Sequence, residues 1–328
     1  MLTTVVRQPV DALADIAAFY DYGSCQTRLH TFLSTGGNLD FQGEVGWWSS
    51  SDYCADKIIH TVSGDFDGNG ISEIAVFNAV SPGETAIHVF KSDGSSFEFQ
   101  GADGWWRSTG YTSTQVKHVL AGDFNKDGKD DLAAFYDYGN GATRIHVFLS
   151  TGSSFQYQGS NGWWRVDRGY NLTRTTGASI GYFNGDNYAD LALFYDYGSG
   201  AARIHVWLSN GSSFRYQGSG GWWRVDKGYA LARTTNIPAS HFNLDRYSDL
   251  AMFYNYSNGA ARIHVWLSNG SSFRYQGSNG WWKVDKGYSL SQVPFASASF
   301  HSPVYENRRG DIISVYDYPG NETRMHAL

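Results

Sequence analysis

A tandem repeat governs almost the whole of this 328-residue sequence. The second tryptophan of a Gly-Trp-Trp triplet recurs at intervals of 58, 58, 59 and 59 residues, at Trp48, Trp106, Trp164, Trp223 and Trp282. A histidine marker keeps the same interval and then a last step of 62, at His30, His88, His146, His205, His264 and His326. Because two independent markers share one interval, the chain is a true tandem array.

One unit of the array, read over residues 117–164, shows four short runs of strand type. The runs are HVLAGDF, DLAAFYDY, TRIHVFLS and SFQYQG, the last continuing towards GWW, and turns rich in Gly, Asn, Asp and Ser separate them. Such short connections favour antiparallel pairing. Four antiparallel strands recurring about every 60 residues predict the blades of an all-β β-propeller.

The repeat predicts a single propeller domain over residues 1–328, and six blades are favoured over a five-bladed ring with an appendage. Six copies of the second strand are present, but only five copies of the GWW strand, so the last unit is read as incomplete. The predicted units are 1–57, 58–115, 116–174, 175–233, 234–292 and 293–328.

Composition excludes several functional classes. The formal net charge is −6, from 25 Lys and Arg against 31 Asp and Glu, so a nucleic acid is not an expected partner. The 38 glycines disfavour helical bundles, and 12 Trp, 22 Tyr and 20 Phe exclude a disordered chain. No segment is apolar over the length that membrane insertion requires. The first ten residues lack the features of a signal peptide, which favours a cytosolic location or a non-classical release.

The two cysteines, Cys25 and Cys54, are too few for a disulfide scaffold and lack metal-ligand spacing. Both fall near predicted loops of the first unit. A disulfide and two free thiols therefore both stay open at this point.

Two turns between the first and second strands carry alternating oxygen side chains. Positions 1, 3, 5 and 9 of a D-x-D-x-N-G type loop are occupied, in the second and third units, by Asp65, Asp67, Asn69, Glu73, Asp123, Asn125, Asp127 and Asp131. Alternate oxygens on a tight glycine loop converge as a hard cation such as Ca²⁺ requires. The alternative is a turn that caps itself with hydrogen bonds and holds no ion. The other copies lack the first carboxylate, so strong metal binding is not expected there.

The pattern G-D-F-[DN]-x-[DN]-G, followed by [DE]-[IL]-A, resembles the FG-GAP or VCBS repeat over nearly the whole chain. That family includes the integrin α-subunit head and several propeller lectins. The resemblance implies a β-propeller fold. It also implies that Ca²⁺ sits in the two acidic loops named above, where its role would be to hold a hairpin.

The loops that follow the tryptophan pairs are the candidate ligand sites. A tryptophan face stacks on the apolar patch of a sugar, and Arg, Asp and Tyr satisfy its hydroxyl groups. The alternative is that at least one tryptophan of each pair packs between blades for structural reasons. The candidate ligand-binding residues are Trp105, Trp106, Arg107, Trp163, Trp164, Arg165, Asp167, Tyr170, Trp222, Trp223, Arg224, Asp226, Tyr229, Trp281, Trp282, Lys283, Asp285 and Tyr288.

A third recurring set combines Tyr-Asp-Tyr-Gly with Arg-Ile-His. In the third unit it consists of Asp137, Tyr138, Arg144 and His146, and Arg144 and His146 share one parity of a strand. A buried Arg–Asp–His network between blades is favoured over a ligand site. The second unit lacks the set.

No catalytic motif stands out, so no catalytic residue and no enzymatic activity are predicted. Repeated shallow sites favour a multivalent lectin that binds glycans or glycoproteins, since a second contact forms at a high effective concentration. The alternative is a protein-interaction or adhesion propeller that binds no sugar. Assembly into a homo-oligomer stays open.

Overall fold

The computed structural model describes residues 2–7, 14–35, 38–235, 237–257, 259–289, 293, 295–298, 312–318 and 322–327. Their contacts divide the chain into two compact units, Met1–Leu172 and Thr173–Leu328. The helices in these ranges are single 3₁₀ turns at Ala55–Lys57, Ser113–Gln115, Leu172–Arg174 and Leu231–Arg233. None of them is long and apolar enough to cross a membrane.

The compact unit Met1–Leu172 holds three antiparallel sheets, called blades 1 to 3, with five strands each. The strands of blade 1 are β1 (Leu2–Arg7), β2 (Ala14–Asp21), β3 (Thr27–Ser34), β4 (Leu39–Phe41) and β5 (Trp48–Ser50). Those of blade 2 are β6 (Ile58–Gly64), β7 (Glu73–Ser81), β8 (Glu84–Ser92), β9 (Phe97–Phe99) and β10 (Trp106–Thr109). Those of blade 3 are β11 (Val116–Gly122), β12 (Asp131–Gly139), β13 (Ala142–Ser150), β14 (Phe155–Tyr157) and β15 (Trp164–Val166).

The second unit holds blades 4 and 5 and a three-stranded sixth sheet. The strands of blade 4 are β16 (Thr175–Gly181), β17 (Asp190–Gly198), β18 (Ala201–Ser209), β19 (Phe214–Tyr216) and β20 (Trp223–Val225). Those of blade 5 are β21 (Thr234–Thr235), β22 (Ala239–Ser240), β23 (Asp249–Ser257), β24 (Ala260–Ser268), β25 (Phe273–Tyr275) and β26 (Trp282–Val284). The sixth sheet contains β27 (Phe295–Ala298), β28 (Ile312–Tyr318) and β29 (Glu322–Ala327).

Each complete blade has one outer edge made of two short strands, where the sequence predicted a single fourth strand. In blade 3 both β14 and β15 pair with β13, because Gln158 N–H donates to Val147 O and Trp163 N–H to Ile145 O, each at 2.9 Å. The loop between β14 and β15 requires a glycine at position 162, because φ is +67° there and a Cβ would lie 2.4 Å from Ile145 O.

The second strand of each complete blade forms the centre of its core. In β12, Leu132, Ala133, Ala134 and Phe135 are all fully buried, so both faces of the strand are covered as its apolar pattern predicts. The prediction of an all-β fold made of small antiparallel propeller blades is confirmed. Five sheets are complete blades, the number of the five-bladed alternative, and the sixth sheet shows three strands in the described ranges.

Cys25 and Cys54 form a disulfide within the first repeat, residues 1–57. The bond joins the β2–β3 turn of blade 1 to the loop that leads into blade 2. Of the two possibilities that the sequence left open, the structure therefore contains the paired one.

Candidate functional site

A cavity of about 470 Å³ opens on one face of blade 1. Side chains from β2, β3, β4 and the loop after β4 meet there, because Tyr20 pairs with Arg28 and Phe32 with Phe41 across the sheet. The cavity is lined by Ala18, Tyr20, Tyr22, Arg28, His30, Phe32, Phe41 and Glu44. We call this the blade 1 cavity.

The blade 1 cavity combines exposed aromatic rings with fixed polar groups. The rings of Tyr20, Tyr22 and Phe41 are 47%, 46% and 47% exposed. The Arg28 guanidinium lies 4.5 Å from the centre of the Tyr22 ring, and its Nη1 donates to Glu44 O at 2.6 Å. Apolar surface with a few oriented polar groups is the usual construction of a small-ligand site.

The arginine–tyrosine pair of blade 1 recurs in blades 3, 4 and 5. The distances from the guanidinium to the ring centre are 4.4, 4.2 and 4.6 Å, for Arg144 on Tyr138, Arg203 on Tyr197 and Arg262 on Tyr256. Each arginine also donates to the carbonyl oxygen 16 residues further on, which belongs to Ser160, Ser219 or Ser278. Blade 2 lacks the pair, because Ala86 and Val80 stand at these two positions.

The predicted Arg–Asp–His network is wrong in its acidic member. Asp137 Oδ1 accepts the Gly139 N–H at 2.8 Å and so caps its own turn. The partner of His146 is instead the Tyr138 hydroxyl, 3.2 Å from Nε2. A short Asx-type turn satisfies the carboxylate locally, and this leaves Arg144 to stack on the tyrosine.

In blade 3 the corresponding face is covered by the loop that precedes the blade. The Tyr111 ring lies 4.9 Å from that of Tyr136, and its hydroxyl is hydrogen-bonded to His146 Nδ1 at 3.2 Å. The Trp106 ring lies 4.9 Å from that of Phe148. This burial lowers the pKa of His146 to about 4.

The same cover recurs on two further blades. In blade 2, the Tyr53 hydroxyl is bonded to His88 Nδ1 at 2.9 Å. In blade 5, the Tyr229 hydroxyl is bonded to His264 Nδ1 at 2.9 Å. An aromatic loop therefore occupies the place that is a cavity in blade 1.

The structure places the predicted tryptophan-loop residues in two groups. The first is packed away: Trp105 and Trp222 are 7% and 8% exposed, and Trp106, Trp163, Trp164, Trp223 and Trp282 are half-buried. The second group is exposed. It consists of one tryptophan and seven charged residues, which are Trp281, Arg107, Arg165, Asp167, Arg224, Asp226, Lys283 and Asp285. Arg107 is engaged with Glu84 and Asp103 at 2.9 and 3.1 Å.

The three loop tyrosines do not face solvent. Tyr170, Tyr229 and Tyr288 are 6%, 6% and 7% exposed, so the expectation that they satisfy ligand hydroxyl groups is wrong for this structure. Sequence reasoning missed the blade 1 cavity because its residues share the pattern of the covered blades. The signal lay in the loop of the preceding unit, which supplies the covering tyrosine to blades 2, 3 and 5.

The acidic loop of blade 2 brings three carboxylates together. Ligand oxygens of Asp65, Asp67 and Glu73 lie within 4.8 Å of one another. Glu73 is fully buried; its Oε2 accepts the Phe66 N–H at 2.8 Å, while its Oε1 has no hydrogen-bond partner. Burial, with the nearby Asp67 charge, raises the pKa of Glu73 to about 8. A buried carboxylate with one unpaired oxygen, close to two further carboxylates, fits a hard cation.

Other contacts in this loop belong to the loop itself. Asp65 accepts N–H groups from Gly68, Asn69 and Gly70. Asn69 Oδ1 accepts the Ile71 N–H at 2.7 Å, so its amide oxygen already has a donor. These bonds hold the turn in shape whether or not an ion is bound.

The acidic loop of blade 3 differs at its last position. Asp131 uses both oxygens for the backbone, with Oδ1 accepting from Ser150 N and Oδ2 from Phe124 N at 2.8 and 3.3 Å. Asp123 likewise caps Lys126, Asp127 and Gly128. In the described residues, only the blade 2 loop gathers three carboxylates closely, so Asp123, Asn125, Asp127 and Asp131 do not form a matching group.

Comparison with known proteins gives one family match and a consistent set of structural neighbours. Residues 65–134 match the FG-GAP-like repeat family, which confirms the recognition of that repeat for this part of the chain. No curated protein sequence matches the chain at a significant level.

The chain is similar in structure to β-propeller lectins. A fungal fucose-specific lectin, the Aleuria aurantia lectin with a six-bladed β-propeller fold, gives a TM-score of 0.54 at 13% identity, covering 99% of this chain and 91% of that one. AofleA from Arthrobotrys oligospora gives a TM-score of 0.55 at 10% identity, covering 100% of this chain and 86% of that one. At such low identity the likeness shows the fold, which is a β-propeller.

Proposed function

We propose that this protein is a carbohydrate-binding propeller, a lectin, and that the blade 1 cavity is a binding site. The observation that carries the proposal is the cavity itself, where three half-exposed rings surround Arg28 and Glu44. A sugar ring offers an apolar face to Tyr20, Tyr22 or Phe41. Its hydroxyl groups would accept from Arg28 and donate to the exposed Glu44 carboxylate.

Similarity in fold to a fucose-specific lectin supports a glycan or glycoprotein as the partner. It also supports binding without chemical conversion, so we propose no enzymatic activity. The arginine–tyrosine pairs of blades 3, 4 and 5 are candidates for weaker sites of the same kind, and together they would make the lectin multivalent. The exposed ends of the tryptophan loops, such as Arg165 and Asp167, stay predicted contacts for larger glycans.

The test is a glycan array followed by calorimetric titration of the best sugar, with fucosides among the first probes. Arg28→Met should lower the affinity of the blade 1 site at least about tenfold, because it removes a charged donor from the cavity. Arg144→Met is the matched control, since it removes the corresponding arginine of blade 3 and should leave the affinity of the blade 1 site unchanged. No binding of any glycan would overturn the proposal, and capture of a protein through Tyr20 and Phe41 would favour the adhesion alternative.

We also propose a structural Ca²⁺ in the acidic loop of blade 2, with Asp65, Asp67 and Glu73 as its carboxylate ligands. The free Glu73 Oε1 supports this site. A bound cation would supply positive charge that lets Glu73 ionise and would tie β7 to the turn before it. Since Asp67 Oδ2 already pairs with Lys91 at 2.9 Å, the lysine would have to share or release that oxygen. A second Ca²⁺ at Asp123, Asn125, Asp127 and Asp131 stays a weaker proposal.

Thermal unfolding with and without Ca²⁺ tests the metal proposal. At a hundredfold excess over the dissociation constant, bound Ca²⁺ should stabilise the protein by about 2.7 kcal/mol. Glu73→Gln should remove that increase, whereas Asp186→Asn, a control in the blade 4 loop that lacks the first carboxylate, should retain it. An equal increase in the Glu73→Gln variant would contradict the assignment of the site to blade 2.

A further inference from the structure

The Cys25–Cys54 disulfide lies where three other blades have a close contact between backbones. In blades 3, 4 and 5 the turn before the third strand contains a glycine with positive φ, at Gly141, Gly200 and Gly259. A Cβ on these glycines would lie 2.9, 2.7 and 2.6 Å from a backbone nitrogen of the outgoing loop. The outgoing loop therefore packs directly on the backbone of the turn, and no side chain fits between them.

Cys25 stands at this position in blade 1. Its φ is +62° and that of the preceding Ser24 is +52°, values that cost free energy in residues with a Cβ. Within residues 14–35 and 38–57, no backbone hydrogen bond joins this turn to the outgoing loop. The disulfide and one side-chain bond, from Thr27 Oγ1 to Tyr53 O, make the link instead. The disulfide thus holds together a strained turn and a loop that the other blades hold through their backbone.

The loop held by the disulfide covers blade 2. Tyr53 directly precedes Cys54, and its hydroxyl is bonded to His88 Nδ1 at 2.9 Å. Its ring lies 5.7 Å from that of Phe90 and 5.4 Å from that of Phe99, and it is 8% exposed. The position of Cys54 therefore bears directly on the cover of this face.

The face beneath Tyr53 has the framework of the blade 1 cavity. Three rings that line the cavity recur in blade 2, where His88, Phe90 and Phe99 correspond to His30, Phe32 and Phe41. Ala86 and Val80 replace the arginine and the tyrosine of the pair, so this face is more apolar. Without its cover it would be a cavity for an apolar ring rather than for a charged ligand.

The disulfide is accessible to a dithiol reductant. Both cysteines are half-buried, and the neighbouring Gly23, Ser24 and Asp52 are exposed. A reductant thiolate attacks one cysteine sulfur and forms a mixed disulfide, while the other cysteine leaves as a thiolate and takes up a proton. The second thiol of the reductant then releases the first cysteine. The protein gains two thiols, and the dithiol is oxidised to its own disulfide.

We propose that the Cys25–Cys54 disulfide is a redox switch that controls access to a second, apolar cavity on blade 2. In the oxidised protein Tyr53 closes the cavity. After reduction the turn at Ser24 and Cys25 relaxes from its left-handed conformation, since the bond that imposed it is gone. Residues 51–57 then open more often, and a small apolar aromatic ligand can enter in place of the Tyr53 ring. The proposal is independent of the lectin function, because no sugar takes part in it.

Amide hydrogen exchange of the full chain, oxidised and after dithiothreitol, tests the opening. Exchange over residues 51–57 should rise at least about tenfold on reduction, because the loop loses its covalent link. Exchange over residues 109–115, the cover of blade 3, should stay the same because no disulfide holds it. A Cys25→Ser, Cys54→Ser double variant should exchange like the reduced chain and should not respond to dithiothreitol.

Two chemical probes test the exposed face. Diethyl pyrocarbonate, which acylates accessible imidazoles, should modify His88 at least about tenfold faster after reduction and His146 at an unchanged rate. The fluorescence of the apolar dye ANS should rise on reduction. Tyr53→Ala removes the cover but keeps the disulfide, so this variant should bind ANS in the oxidised state and gain little on reduction.

Three outcomes overturn the proposal. The disulfide is no switch if it resists dithiothreitol in the folded chain, as followed by mass spectrometry. The cover is not under its control if residues 51–57 exchange at the same rate in both states, or if residues 109–115 gain as much. The opened face is no cavity if neither the reduced chain nor Tyr53→Ala binds ANS above the level of the oxidised native chain.

Discussion

Blade 1 and blade 3 carry nearly the same residues on corresponding faces, yet one face is open and the other is closed. Tyr20 and His30 of blade 1 correspond to Tyr136 and His146 of blade 3. Tyr20 is 47% exposed, whereas Tyr136 is 4% exposed beneath Tyr111. The side chains on a propeller face thus come from the blade's own strands, whereas the loop of the preceding repeat decides how exposed they are.

The largest test of this comparison removes the cover. Tyr111→Ala should lower the free energy of unfolding by about 3–5 kcal/mol, because it leaves a cavity against Tyr136, His146 and Phe148. Tyr20→Ala, a change on the uncovered face of blade 1, should change it by no more than about 0.5 kcal/mol. Urea denaturation of both variants measures the difference, and equal effects would mean that the two faces are covered alike.

A pH series gives a smaller difference between the two faces. The pKa of His146 is near 6.5 in the unfolded chain and about 4 in the folded protein, so the unfolded chain binds more protons between these values. Stability is therefore lost as the pH falls from 6.5 towards 4. His146→Gln should reduce the loss between pH 6.5 and pH 5 by about 1.5 kcal/mol, measured by urea denaturation at each pH.

His30 provides the control for the pH series. Burial lowers its pKa too, but its ring borders the blade 1 cavity, where water can solvate the charged form. His30→Gln should therefore flatten the pH profile less than His146→Gln. The comparison fails if the two substitutions flatten it equally.

The smallest expected effect comes from one hydroxyl group. Tyr111→Phe keeps the covering ring but removes the hydrogen bond to His146 Nδ1, which should cost about 1 kcal/mol in thermal or urea unfolding. Tyr22→Phe, which removes the bond to His30 Nε2 at the open face, should cost less because water replaces it. A larger effect at Tyr22 would show that the blade 1 face is closed in solution.

The tandem pattern was enough to predict the strands, because each turn carries its own Gly, Asn or Asp signal. The second strand of the third unit was read as Asp131–Tyr138 and is observed as Asp131–Gly139. Contacts between neighbouring blades could not be predicted in the same way. Trp222 and Trp281 sit in nearly identical local sequences but are 8% and 52% exposed, since their burial depends on the neighbouring sheet rather than on their own loop.

The metal-loop prediction shows a second limit of pattern reading. Glu73 and Asp131 hold the same loop position and both accept a backbone N–H seven residues earlier. The other oxygen of Asp131 accepts from Ser150 N, whereas the side chain of Glu73 is one methylene longer and its Oε1 has no hydrogen-bond partner. Glu and Asp carry the same charge. At this loop position, however, Asp131 bonds to the backbone through both oxygens, whereas Glu73 is a candidate ion ligand.

The disulfide gives blade 1 a mechanical property that its sister blades lack. At the corresponding turns of blades 3 and 4, a backbone hydrogen bond joins the turn to the outgoing loop, from Tyr170 N–H to Gly141 O and from Tyr229 N–H to Gly200 O, each 3.0 Å long. In blade 1 the Cys25–Cys54 bond spans 29 residues and would contribute about 3–4 kcal/mol by restricting the unfolded chain. Under tension applied at the amino terminus, blade 1 would resist separation from the loop that leads into blade 2 until a reductant broke the disulfide.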